Sequence, residues 1–123
     1  MRRGAVIIRY SPEQIGFNGE LLAARYLKKA GYKVLESRYH SVFGEIDLIV
    51  QNKSFIVFVE VKLRKNTDYG RACEAVTFSK QQKIIKTALQ WLAHNECDRQ
   101  PRFDIIEIYT DTDKINHIEN AFA

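Results

Sequence analysis

"FGEIDLIVQNKSFIVFVEVKLR", residues 43–64, holds two apolar runs, IDLIV and FIVFVEV, with Glu45, Asp47, Glu60 and Lys62 set inside them. The runs are short, rich in Ile, Val and Phe, and separated by a polar break at Asn52 and Lys53, which is how a β-hairpin reads. Strands of this composition belong in the interior of a sheet. A charge buried there without a partner is strongly unfavourable, so these carboxylates need a lysine, a bound cation or a water-filled cleft beside them.

The period-2 rule turns the hairpin into a geometry. With strands over 44–51 and 54–64, and Gln51 paired with Ser54, Glu45 falls opposite Glu60 and Asp47 opposite Phe58. Glu60 and Lys62 then point to the same face as Asp47. Three carboxylates and one ammonium share a surface, provided the register holds, because a one-residue slip sends one strand's set to the other face.

Working outward, Ser11, Pro12 and Gln14 form an N-terminal helix signal and Gly31 a stop. Between them Ile15, Leu22, Ala23, Tyr26, Leu27 and Ala30 recur at helical spacing as a buried stripe, with Glu20 at its border. YKVLESRY reads as a first strand. Residues 65–78 form a long polar connection, the kind that in a compact domain is functional or mobile. A second helix capped by Ser79 or Thr77 follows, with Ile84, Ile85, Ala88, Trp91 and Leu92 on its apolar face and Lys83, Lys86 and Gln90 outward. RFDIIEIY is a further strand, and KINHIENAF a final strand or short turn. The order is α-β-β-β-α-β, an α/β chain forming one domain over residues 1–123.

At 123 residues, 46% hydrophobic and 28% charged, the chain is long enough for its own core. No apolar run approaches the ~20 residues that cross a bilayer, and the opening MRRGAVIIRYSPEQ is too short in its apolar part for a secretory signal, so a cytoplasmic protein without membrane contact is expected. Cys73 and Cys97 are far apart and read as unpaired thiols. His40, His94 and His117 lack metal-ligand spacing and read as surface or locally hydrogen-bonded imidazoles. The net charge of +4 suits a polyanionic partner. Arg2, Arg3, Arg9, Arg38, Arg64, Lys65 and Arg71 are candidates for a phosphate-binding rim, with Tyr69 available to stack on an exposed base.

Carboxylates on neighbouring strands make an oxygen-rich site that suits Mg2+ or Mn2+ rather than zinc. Lys62, on the same face, is placed to orient an attacking water or to stabilise a phosphorane-like transition state. Together these are the parts for metal-assisted phosphodiester hydrolysis.

"GFNGELLAARYLKKAGYKVLE", "GEIDLI", "FVEVKLR", "GRACEAVTFSKQQKI" and "RFDIIEI" span nearly the whole chain. In these segments it resembles the PD-(D/E)XK nuclease superfamily, specifically its YraN-like branch, with likeness to Holliday-junction resolvases. The resemblance implies a restriction-endonuclease-like αβββαβ core, a central mixed sheet flanked by helices. It implies Asp47 as the first-motif metal ligand, Glu60 and Lys62 as the second-motif acid and lysine, and Glu20 as the first-helix acid of resolvase-like members. It further implies a backbone carbonyl ligand at Val61 and a supporting polar group at Gln82 or Lys80, with Glu45 alongside. Two departures stand out: Ile46, not proline, precedes Asp47, and Val42 and Phe43 replace basic side chains before the hairpin.

The expectation is an endonuclease dependent on Mg2+ or Mn2+, acting on structured or branched DNA rather than RNA. Contacts to nucleic acid are assigned to Arg64, Lys65, Tyr69, Arg71 and Lys80. The alternative is a non-catalytic nucleic-acid-binding subunit of a DNA repair or processing complex. A homodimer would suit cutting both strands of a symmetric junction, with IVFVEV or the final segment supplying an edge.

Overall fold

The computed structural model describes residues 12–64, 76–112 and 114–123, with side chains from residue 19 onward. Helix α1 (Pro12–Lys29) is followed by strands β1 (Lys33–Ser41), β2 (Gly44–Gln51) and β3 (Phe55–Arg64). Helix α2 (Phe78–His94) and strands β4 (Gln100–Tyr109) and β5 (Lys114–Ile118) complete the chain. The five strands form one sheet in sequence order β1-β2-β3-β4-β5. All neighbours are antiparallel except β3 and β4, which run parallel because α2 carries the chain back between them.

Each helix covers one face of the sheet. Leu22, Ala23, Tyr26 and Leu27 of α1 pack on Leu48, Val50, Val57, Val59, Ile106, Ile108 and Ile115. Ile84, Ala88 and Trp91 of α2 pack on Ile49, Ile56, Phe58 and Ile105. Strand β3 is therefore buried on both sides, which explains why IVFVEV reads as an unbroken apolar run. Its far edge is occupied by β4, so it supplies no free edge for a second copy; the sheet edges are β1 and β5.

Local chemistry sets the element ends. Gly31, at φ 98°, ends α1 in a conformation that favours glycine, with its N–H on Lys28 C=O and the Tyr32 N–H on Leu27 C=O. This is a Schellman closure, and Tyr32 and Leu27 are both buried in the same cluster. Thr77 caps α2 by accepting from the Lys80 N–H at 3.1 Å. The final segment resolves into β5 on the outside of β4.

The hairpin register differs from the sequence expectation by two residues. Gln51 pairs with Ile56, not Ser54, and Leu48 with Val59. Asn52 is the cause: its Oδ1 accepts from the Ser54 and Phe55 N–H groups at 2.9 and 2.8 Å, so Asn52 flanks the turn instead of sitting inside it. Because the offset is even, the faces are preserved along the paired residues, Leu48–Gln51 with Ile56–Val59. The β2–β3 ladder ends short of Asp47 and Glu60, while Glu45 pairs with His40 on β1.

His117 is neither at the surface nor locally bonded. Its Nε2 lies 2.7 Å from Asp104 Oδ2 and its Nδ1 3.0 Å from the Tyr26 hydroxyl, joining β5, β4 and α1. Arg102 donates to both Asp104 oxygens and to the Tyr32 hydroxyl. Burial pushes the Asp104 carboxyl up, but His117, Arg102 and the Asn120 N–H outweigh it and hold it below the ordinary carboxylate range. An ionised Asp104 only accepts, so His117 Nε2 carries a proton. Among the described residues, no helix is long and apolar enough to cross a membrane.

Candidate functional site: an acidic cleft where two strands part

The β2–β3 ladder runs from Gln51↔Ile56 to Leu48↔Val59. Beyond it β2 continues with β1 as far as Gly44, while β3 continues with β4 as far as Arg64. The Asp47 carboxylate crosses the gap and accepts the Val61 N–H at 2.8 Å on Oδ2. A cleft of about 280 Å³ opens at the fork, lined by Gly44, Glu45, Asp47, Glu60, Lys80, Lys83 and Ile84.

Glu20 of α1 joins the acids: one carboxylate oxygen each from Glu20, Glu45 and Asp47 lie within 4.8 Å of one another. Ligand oxygens around an octahedral magnesium ion stand about 3.0 Å apart when adjacent and about 4.2 Å when opposite, so the three side chains would close in on one another to hold an ion. The donors are all hard carboxylate oxygens, which fit Mg2+ or Mn2+ and not zinc. Burial pushes the Asp47 carboxyl up to about 7; the Val61 N–H works against this, while Glu60, Glu20 and Glu45 add to it.

Counter-charges flank the acids on two sides. Arg38 Nε donates to Glu20 Oε1 at 2.8 Å, and that bond holds the guanidinium above its ordinary pKa. Arg38 adopts φ 54° within β1, a left-handed conformation costing about 1 kcal/mol for a non-glycine residue. On the other side, Glu60 is buried, and its Oε2 stands 3.6 Å from Lys62 Nζ and 3.4 Å from Lys80 Nζ. Glu60 thus shares the cleft with Asp47, but its carboxylate is held by lysines and lies outside the three-acid group.

The remaining expected residues divide. Val61 meets Asp47 through its N–H. Lys80 is at the cleft, but as a partner of Glu60. Gln82 is not part of the cleft lining; Lys83, read from sequence as pointing outward, is there instead. The helical spacing Lys80, Lys83, Ile84 already contained that information, since positions three and four apart share a face. Arg64, expected on a phosphate rim, lies 3.6 Å from the buried Glu107. Glu107, which sequence reading missed, also accepts from Asn116 and Tyr109 at 2.8 and 3.1 Å. Lys65, Tyr69 and Arg71, with Arg2, Arg3 and Arg9, lie outside the described residues.

A family model described as uncharacterised protein family UPF0102 matches residues 19–108, which include every residue of the cleft. A UPF0102 protein of Caldanaerobacter subterraneus subsp. tengcongensis is 48% identical over 120 residues, covering 93% of this chain and 98% of that protein. One from Vibrio parahaemolyticus is 47% identical over 118 residues (93% and 96%), and one from Clostridioides difficile 46% over 105 residues (85% and 92%). The matches run across the acidic cleft, the hairpin and both helices, and the chain belongs to the uncharacterised protein family UPF0102.

Proposed function

We propose that this protein is a divalent-metal-dependent endonuclease that hydrolyses phosphodiester bonds of structured or branched DNA, on a restriction-endonuclease-like αβββαβ core to which β5 is added. The observation that carries the reading is the convergence of Asp47 and Glu60 at the β2–β3 fork, with Glu20 and Glu45 beside Asp47 and Lys62 and Lys80 beside Glu60. Packing alone does not call for the buried Glu60 and the half-buried Asp47, because desolvating a carboxylate is costly, while Glu20, Glu45 and Lys80 stand partly solvated beside them.

Glu20, Glu45 and Asp47 would hold Mg2+ or Mn2+, with Glu60 entering the set once released by a lysine. When bound, such an ion lowers the pKa of a water and offsets charge on the phosphoryl oxygens. The chain's own groups do the rest. Asp47 is fixed by the Val61 N–H, so its free oxygen has a defined direction. Lys62, on the same face as Glu60, supplies a proton donor to the developing oxyanion, and Lys80 and Lys83 hold a phosphate at the cleft mouth.

Glu60 favours a second reading. Its Oε2 is already shared by two lysines, which compensate its charge without an ion. On that reading the protein is a non-catalytic nucleic-acid-binding subunit of a DNA repair or processing complex. Incubating purified protein with linear, branched and single-stranded DNA and RNA, with and without Mg2+ or Mn2+, separates the two. Metal-dependent cleavage lost in Asp47→Ala and Glu60→Ala supports the nuclease; binding without cleavage across the panel supports the subunit.

A further inference from the structure

We propose that the β1–β2 turn carries a docking platform for an unpaired nucleobase, with Phe43 as the stacking surface, so that the substrate is gripped at a base splayed out beside the cleft. This rests on the reading of the partner as nucleic acid, but not on catalysis.

The turn is short and its placement rigid. Ser41 pairs with Gly44, leaving Val42 and Phe43 at the corner. The Phe43 N–H donates to Ser41 Oγ at 2.9 Å, and Ser41 Oγ lies 3.1 Å from Thr87 Oγ1 on α2. Gly44 sits against Lys83 and Thr87, at φ 155°, so the turn is braced on the helix. A side chain held by its backbone in this way loses little entropy on binding.

What the turn presents is apolar and open. Val42 is 89% exposed, Phe43 45% and Leu89 60%, and with Lys86, Gln90 and His94 they line a hollow of about 640 Å³. Val42, Phe43 and Leu89 stand outside the hydrophobic cluster under α2.

Charge complementarity selects the occupant. Lys80, Lys83 and Lys86 follow one another at three-residue spacing along α2, from the acidic cleft to the hollow. Lys86 Nζ stands 6.0 Å from the centroid of the Phe43 ring. A flat apolar face with ammonium groups along one side matches a base with its phosphates running alongside, which is how single strands are held without sequence readout. Gly44 lines the cleft and Phe43 the hollow, so adjacent residues bring the stacked base and the acids together. A fully paired duplex offers no free base face, and the platform therefore discriminates against it.

The test is binding, measured in EDTA so that cleavage plays no part. Fluorescence anisotropy with a labelled single strand, a forked duplex and a blunt duplex should show Phe43→Ala weakening the first two by about tenfold or more while leaving the blunt duplex unchanged. Phe43→Trp should restore the affinity. With unaltered protein, irradiating a single strand bearing 5-iodouracil should give a covalent adduct at Phe43, located by peptide mass spectrometry. Equal loss for all three substrates, unchanged affinity in Phe43→Ala, or adducts only elsewhere would each overturn the platform. So would a dimer in sedimentation that Phe43→Ala dissociates while single-strand affinity is unchanged, since a second copy would then cover the hollow. Cleavage in Mg2+, scored separately, decides the nuclease reading alone.

Discussion

Asp47 on β2 accepts the Val61 N–H of β3 at 2.8 Å, just beyond the last paired positions of the two strands, Leu48 and Val59. A side chain thus takes over where the backbone ladder stops. It satisfies a donor that the parting strands would leave orphaned, and it brings a carboxylate into a half-buried place beside three other acids.

That placement has a pH signature. Asp47 binds its proton more tightly folded than unfolded, so between about pH 4 and pH 7 the native state holds the extra proton and stability falls as pH rises. Below the unfolded value both states are protonated and the effect vanishes. Asp47→Asn keeps an oxygen for the Val61 N–H and removes the ionisation. In urea unfolding without metal it should match the parent near pH 4 and exceed it at pH 8, by roughly 1–3 kcal/mol given that the group is partly solvated. Equal pH profiles would show that Asp47 ionises without penalty.

Metal affinity should follow the three-acid geometry. Calorimetry with Mn2+ should show binding weakened about tenfold or more by Asp47→Ala or Glu20→Gln, and less by Glu60→Ala, because Glu60 must first leave its lysines. Binding as tight as the parent's in all three variants would remove these carboxylates from the ligand set.

Arg38 would compete with such an ion. Its guanidinium occupies Glu20 Oε1, so Arg38→Ala should tighten Mn2+ binding several-fold and make it less sensitive to salt. A looser ion in Arg38→Ala would mean that the arginine orders Glu20 for binding instead of blocking it.

Lys62 separates chemistry from affinity. If it serves the oxyanion, Lys62→Ala removes cleavage and leaves nucleic-acid affinity nearly unchanged, since an interaction made in the transition state appears in the rate and not in ground-state binding. Reduced affinity with intact cleavage would make it another phosphate contact.

Away from the cleft, Asp104→Ala should destabilise the fold by about 3–5 kcal/mol in denaturant titrations, because it strands a buried Arg102 and unties His117. Its stabilisation is present at neutral pH and lost as pH falls through the depressed folded value. A loss below about 1 kcal/mol would mean that Arg102 finds water.

Residues 43–64 by themselves determined the hairpin, and with the helical stripe of α1, Gly31 and the capping residues Thr77 or Ser79 they determined the element order as far as β4, because these signals are local: alternation, periodicity and capping; whether the last segment was a strand or a turn they left open. Period-2 reading puts Asp47, Glu60 and Lys62 on one face, but the paired ladder ends at Leu48↔Val59, and Ile46 and Ile49 both pack under α2, so simple alternation does not carry through Asp47. The two-residue register offset depended on which N–H groups the Asn52 side chain would capture, and composition does not choose between neighbouring turn positions. Everything that turns acids into a site was decided in three dimensions. Glu20 reaches Glu45 and Asp47 only because α1 packs on the sheet where the strands part, and Lys80 and Lys83 reach the cleft only because α2 lies across the other face. Arg64, an apparent rim cation in sequence, turns inward because β4 places the buried Glu107 beside it. Partners so far apart along the chain leave no periodic trace in either segment, and only the packing that buries the apolar faces brings their charges together.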